Sequence, residues 1–180
     1  SSLPTLASTE VINGNIVLTF SEDLGGTSVT PSFFTLSPSN TISGATISGR
    51  TVTLTPSTAI TAGGAGVSVS YNDNSTPDLS SGVIQDLAGN DAASFSNAAA
   101  TKVTASGPIT LAATTTFTTA VLSGTTNDAL TGNAAANTLT GNSGANRISG
   151  GGAADNLTGL GGADTFAYTT NSDSLLAGFD

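Results

Sequence analysis

An acid or its amide recurs every nine residues near the C-terminus: Asp128, Asn137, Asn146, Asp155 and Asp164. Two places after each comes one large apolar residue: Leu130, Leu139, Ile148, Leu157 and Phe166. The five units are SGTTNDALT, GNAAANTLT, GNSGANRIS, GGGAADNLT and GLGGADTFA, and they run without a gap over residues 123–167. A carboxylate is a hard oxygen ligand of the kind that suits calcium. Glycines stand at Gly124, Gly132, Gly141, Gly144, Gly150, Gly151, Gly159 and Gly162. There a turn can take positive φ and bring backbone carbonyls together around an ion. Those carbonyls and the five sixth-place side chains are the candidate metal-ligand set.

One nonapeptide cannot bury its own apolar residue, so a fixed short period demands stacked neighbours. Each unit reads as a turn over its first six places and a short strand over its last three. Ahead of the repeats, residues 5–103 read as antiparallel β. Asn13-Gly14 marks a tight hairpin turn, and the strand after it places Ile16, Leu18 and Phe20 on one face. Thr51–Thr55, stopped by Pro56, and Val67–Tyr71 alternate in the same way. Phe33–Leu36 and Ala45–Ile47 are shorter candidates. Such spacing suggests a two-sheet sandwich of about 100 residues. The expected organisation is a sandwich over 1–103, a junction or capping strand over 104–122, and a stacked roll over 123–180.

Composition narrows the function. The net charge is −9, with only Arg50, Lys102 and Arg147 as cations. Nucleic acid needs Lys and Arg to neutralise phosphates, so it is not an expected partner. No apolar run approaches 18 residues, and no membrane insertion is expected. Histidine and cysteine are absent, which removes Ser-His-Asp and Cys-His chemistry and the two-His zinc motif. No carboxylate pair is marked out for glycoside hydrolysis, and no enzyme activity is expected. With no Trp and two Tyr, the aromatic cluster of a carbohydrate-binding surface is missing as well.

The nonapeptide block resembles the hemolysin-type RTX calcium-binding repeat, the parallel β-roll of type I secreted toxins, proteases and surface-layer proteins. Residues 157–168, LTGLGGADTFAY, are its most specific stretch. The tail, ending after Phe179-Asp180, is similar to the family's closing segment and implies a longer parent chain. In that family one coil takes two nonapeptides. The resemblance therefore implies that Asp128, Asn146 and Asp164 line one edge and Asn137 and Asp155 the other. Each inter-coil pair then holds one Asp and one Asn. Calcium affinity falls with ligand charge, so weak sites on the order of millimolar are expected. At about ten times such a Kd, each ion adds only about 1.4 kcal/mol of stability. The bland alternative is a roll held by its Leu/Ile ladder and stacked Asn amides.

Val83–Phe95, Val17–Glu22, Thr51–Thr55 and Val67–Tyr71 together resemble the SwmB-type repeat of cyanobacterial swimming-motility surface proteins and large adhesins. That resemblance covers roughly residues 5–103 and implies an Ig-like sandwich with no catalytic residues. Asp86, Gly89 and Asn90 read first as turn builders. A second calcium site from Asp86, Asp91 and a loop acid, Asp73 or Asp78, is the other reading.

The expected protein is thus all-β, an Ig-like antiparallel sandwich followed by a short parallel β-roll with weak calcium sites. The expected role is an extracellular, cell-surface structural or adhesive module exported by type I secretion. Its partners would be other surface components or copies of itself. A self-assembling surface-layer or filament subunit is one alternative. A non-catalytic accessory part of a larger secreted enzyme is the other.

Overall fold

A computed structural model describes residues 2–73 and 82–168. The described residues fall into two compact units, 2–60 with 67–73 and 82–100, and 61–66 with 101–168.

The first unit is antiparallel. Its strands are β1 (Leu6–Ile12), β2 (Asn15–Phe20), β3 (Phe34–Ser37), β4 (Ile42–Ser48), β5 (Thr51–Pro56), β6 (Ser68–Tyr71) and β7 (Phe95–Ala99). Strands β1, β2, β5 and β4 follow one another across one sheet, and β3, β6 and β7 across a second. Asn13 and Gly14 both take positive φ, 47° and 83°. They close a two-residue hairpin in which Ile12 faces Asn15, the turn whose twist matches the strands it joins.

Alternation then decides the faces. Ile16, Leu18 and Phe20 are buried beside Val52 and Leu54 of the neighbouring strand. Phe34, Leu36, Val69 and Tyr71 are buried on the second sheet. The two apolar faces make the core of a sandwich. Strand β5 ends at Pro56, which is its last residue and lies opposite Ile42. Phe33 lies outside β3, in a 3-10 turn at Pro31–Phe33.

The second unit is a parallel β-solenoid. Its strands are β8 (Lys102–Ala105), β9 (Ile109–Thr110), β10 (Thr119–Leu122), β11 (Ala129–Thr131), β12 (Thr138–Thr140), β13 (Arg147–Ser149), β14 (Asn156–Thr158) and β15 (Thr165–Phe166). They stack as two ladders, β8-β10-β12-β14 and β9-β11-β13-β15. Every strand from β11 onward occupies the end of a nonapeptide. Its partner lies 18 residues away, as in Leu139↔Leu157 and Leu130↔Ile148. The inward column Ile109, Leu130 and Ile148 is buried, as are Val103, Ala120 and Leu139 on the opposite ladder. Toward the last coil the column opens, and Phe166 is 40% exposed.

Strands β8 to β10 begin at Lys102, in the last two residues of the expected sandwich, and run through the stretch 104–122 expected to be a junction or capping strand. The coils begin at Lys102, well ahead of the first recognisable nonapeptide. There the spacing slips: Lys102 pairs with Thr119, Thr119 with Thr138, and Ile109 with Leu130.

Candidate metal centre

In the second to fifth nonapeptides the first place is glycine, where the first unit has Ser123, and the sixth-place side chain folds back over it. A Cβ on Gly150 would run into Oδ2 of Asp155, and one on Gly159 into Oδ2 of Asp164. At Gly132 it would meet Asn137 Oδ1 and the Gly150 carbonyl, and at Gly141 Asn146 Oδ1 and the Gly159 carbonyl. Oxygen thus crowds each first place, from its own turn or from the next coil. The second and fourth places also abut carbonyls. Gly151 lies against Asn133 O, Gly144 against Thr126 O, and Gly162 against Gly144 O. At these places the lack of a side chain serves close approach between coils.

The turns come in two kinds. The fourth and fifth units take left-handed backbone at their second and fourth places: Gly151 (φ 99°), Ala153 (64°), Leu160 (69°) and Gly162 (96°). The second and third units use none. Their second-place asparagines build the turn instead. Asn133 Oδ1 accepts the N–H of Ala135 at 2.9 Å, and Asn142 Oδ1 accepts that of Gly144 at 2.8 Å, the Asx geometry that spares positive φ. The same side chains reach the preceding coil, Asn133 Nδ2 to Ala112 O at 3.0 Å and Asn142 Nδ2 to Ser123 O at 3.3 Å.

The sixth places divide likewise. Asp155 Oδ1 accepts the N–H of Asn137 at 2.8 Å, and Asp164 Oδ1 accepts that of Asn146 at 2.9 Å. Each carboxylate therefore bonds to the coil before it. The asparagines turn their oxygens inward: Asn137 Oδ1 takes the N–H of Asn133 at 2.9 Å, and Asn146 Oδ1 that of Asn142 at 2.8 Å. Only an oxygen can accept an N–H, so each amide nitrogen is turned away from that bond. Asn146 Nδ2 lies 3.4 Å from both Thr126 O and Asp128 O. Asn137 Nδ2 is buried with no hydrogen-bond partner among the described residues. Asp128 Oδ2 accepts the Thr126 hydroxyl.

A calcium ion requires several oxygens and no N–H donor pointing at it. Asp155 and Asp164 meet that demand with one oxygen each: Oδ1 accepts an N–H, and Oδ2 lies over a glycine. Gly150 O stands in the turn of Asp155, and Gly159 O in the turn of Asp164, where Gly144 O approaches Gly162. These residues would hold the ion, which would neutralise the acid and tie neighbouring coils. The place between Asp128 and Asn146 does not fit, because the Asn146 amide already points its N–H groups at the carbonyls a cation would use. Among the described residues no group of three or more acidic, His or Cys side chains converges.

Asp86 lies in the first unit and is 5% exposed. Its carboxylate accepts the N–H of Ala88 at 2.8 Å, the N–H of Asn90 at 2.9 Å and Asn90 Nδ2 at 2.7 Å. Gly89, at φ 85°, completes the turn. Asp91 accepts Gln85 Nε2 at 2.6 Å and lines a shallow cleft with Asp73. Asp78 lies outside the described residues. Of the carbonyl donors expected at glycine, that of Gly124 falls in an exposed turn, at φ 81°.

Reading ligand types alone missed Asn133, Asn142 and Thr126. The signal for the first two is the Gly-Asn that opens two successive units where two glycines are favoured.

Comparison with curated proteins and with solved structures gives no match. Residues 1–76 match the family model of a putative flagellar system-associated repeat. Residues 131–166, the second to fifth nonapeptides, match that of the RTX calcium-binding nonapeptide repeat in four copies, in the order that the sandwich and the roll imply.

Proposed function

We propose that this chain is a non-catalytic, calcium-binding structural module of a bacterial extracellular or cell-surface protein, exported by a type I route. The carrying observation is that Asp155 and Asp164 are each folded over a glycine at a carbonyl-rich edge, within the segment matching calcium-binding repeats. The sandwich would serve as spacer and contact surface toward other surface components or further copies of the chain. The roll would complete its folding outside the cell, where calcium is abundant, because a ligand absent from the unfolded chain adds its binding energy to folding. A net charge of −9 favours cations over anionic partners.

The test is a calcium titration followed by circular dichroism and light scattering on one sample. A gain of β signal near millimolar calcium, lost in Asp155→Ala, supports the reading. A fold indifferent to calcium refutes it. Growth in particle size with calcium would place assembly of copies ahead of a monomeric module.

A further inference from the structure

We infer that the Asn146 carboxamide, positioned by Asn142, takes the place of a cation between the first and third nonapeptides, so that this part of the roll is locked without metal. The inference deepens the proposed calcium role, but it rests on that role only for the contrast with Asp155 and Asp164.

Three observations carry it. The first is the orientation of the amide. Asn146 is 2% exposed, and its oxygen accepts the Asn142 N–H at 2.8 Å. The nitrogen is thereby aimed at Thr126 O and Asp128 O, 3.4 Å away from each. Those carbonyls come from the preceding coil, where a bridging cation would draw on the same oxygens. The long distances fit one amide shared between two acceptors.

The second is that the neighbouring N–H groups of the third unit are met by amide and carbonyl oxygens. Gly144 N–H goes to Asn142 Oδ1 and Ala145 N–H to Asn127 Oδ1, both at 2.8 Å. Arg147 N–H goes to Asp128 O at 3.2 Å. The Asn146 N–H is the one in this turn that meets a carboxylate, Asp164 Oδ1 of the following coil at 2.9 Å.

The third is the backbone. The third unit needs no left-handed residue, whereas the fourth and fifth each hold two, including Ala153 and Leu160, which carry side chains. Left-handed geometry is costly for such residues. The carboxylate turns therefore call for external stabilisation and the amide turn does not. Asn137 does not play the same part, since its Nδ2 finds no partner among the described residues.

Backbone hydrogen exchange of the full chain, resolved by residue with NMR in EDTA and in calcium, tests this. The N–H groups of Asn142, Gly144 and Ala145 are expected to be protected in EDTA and to change less than twofold on adding calcium. Those of Asn137 and Asn146, bonded to Asp155 and Asp164, are expected to slow about tenfold at about ten times the calcium Kd. Calcium gating of Asn142, Gly144 and Ala145 in step with the others would overturn the inference. Protection of those three in EDTA together with calcium indifference at Asn137 and Asn146 would support it and defeat the calcium role instead. Asn146→Asp adds a second reading. An anion facing two carbonyls should cost the third unit its protection in EDTA, with recovery in calcium. Unchanged protection of Asn146→Asp in EDTA would also overturn the inference, and the wild-type measurement decides even where this variant does not fold.

Discussion

Asp155 Oδ1 accepts the backbone N–H of Asn137, 18 residues earlier, at 2.8 Å. The bond joins successive coils at a buried position, since Asn137 is only 3% exposed. Two substitutions separate its two roles. Asp155→Asn can keep an acceptor there but removes the charge. It should leave stability in EDTA nearly unchanged while shrinking the calcium-induced rise in Tm. Asp155→Ala strands the Asn137 N–H and should cost about 1–3 kcal/mol in EDTA, and more in calcium, where the ion's contribution is lost as well. Thermal melts of both variants in EDTA and in calcium check this. Equal calcium shifts in wild type and Asp155→Asn would remove Asp155 from the ligand set.

Asn137 and Asn146 share the sixth place but differ in what the amide nitrogen meets. Asn137 Nδ2 is a buried donor without a partner, so Asn137→Asp removes an unmet group and sets a second carboxylate beside Asp155. Calcium affinity should rise by about tenfold or more, because affinity follows ligand charge. The cost is a larger loss of stability in EDTA. Isothermal titration of the variant against the wild type is the measurement, and an unchanged affinity would show that the ion does not draw on both residues.

The period of nine made the roll legible, since each strand and its 18-residue partner follow from where the apolar residue falls. Leu139 over Leu157 and Ile148 over Phe166 are that pattern in space. The coils before Ser123 were not legible. Stacking there asks only for an inward apolar residue, and Val103, Ile109 and Ala120 supply it without fixing turn length. The pairs drift to 17, 19 and 21 residues apart, and drift hides a repeat. In the sandwich, Asn13-Gly14 and the alternation of Ile16, Leu18 and Phe20 announced their structure. Strand β7 did not stand out, because three of the five residues of Phe95–Ala99 are small, with no alternation, and the strand is defined by pairing with β6. At the candidate site, residue type showed which side chains offer oxygen. It could not show that Asn146 turns its nitrogen toward the carbonyls, because that choice is made by the Asn142 N–H at its other end.

Asp86 should prove structural. Its carboxylate meets two backbone N–H groups and the Asn90 amide within one turn. The Asp86 backbone O also packs against the Gly25 Cα, where an added Cβ would come within 2.8 Å. Asp86→Ala should therefore destabilise the first unit by about 3 kcal/mol, the range for bonds to a buried charge. The loss should be the same in EDTA and in calcium. Chemical denaturation under both conditions decides the matter, and a loss confined to calcium would favour the alternative cation site with Asp91 and Asp73.

Tyr71 gives the first unit an alkaline limit. The side chain is 1% exposed and packs against Phe34 and Phe95, with ring centroids 5.1 and 5.7 Å away. Its hydroxyl oxygen accepts the Ile84 N–H at 2.9 Å. Burial pushes the phenol from its ordinary 10.0 up to about 12; the Ile84 N–H opposes the rise, and the charges of Asp73 and Asp91 add to it. The folded state thus prefers the protonated phenol more than the unfolded state does. Its contribution to stability is complete below pH 10 and is lost as pH rises toward about 12. Tyr71→Phe should lose about 1–3 kcal/mol at neutral pH by stranding the Ile84 N–H. It should also lack the Tyr71 share of the alkaline decline, so the two stabilities converge as pH approaches 12. Urea midpoints between pH 8 and 12 measure the difference, and parallel curves would show that the Tyr71 proton does not govern it.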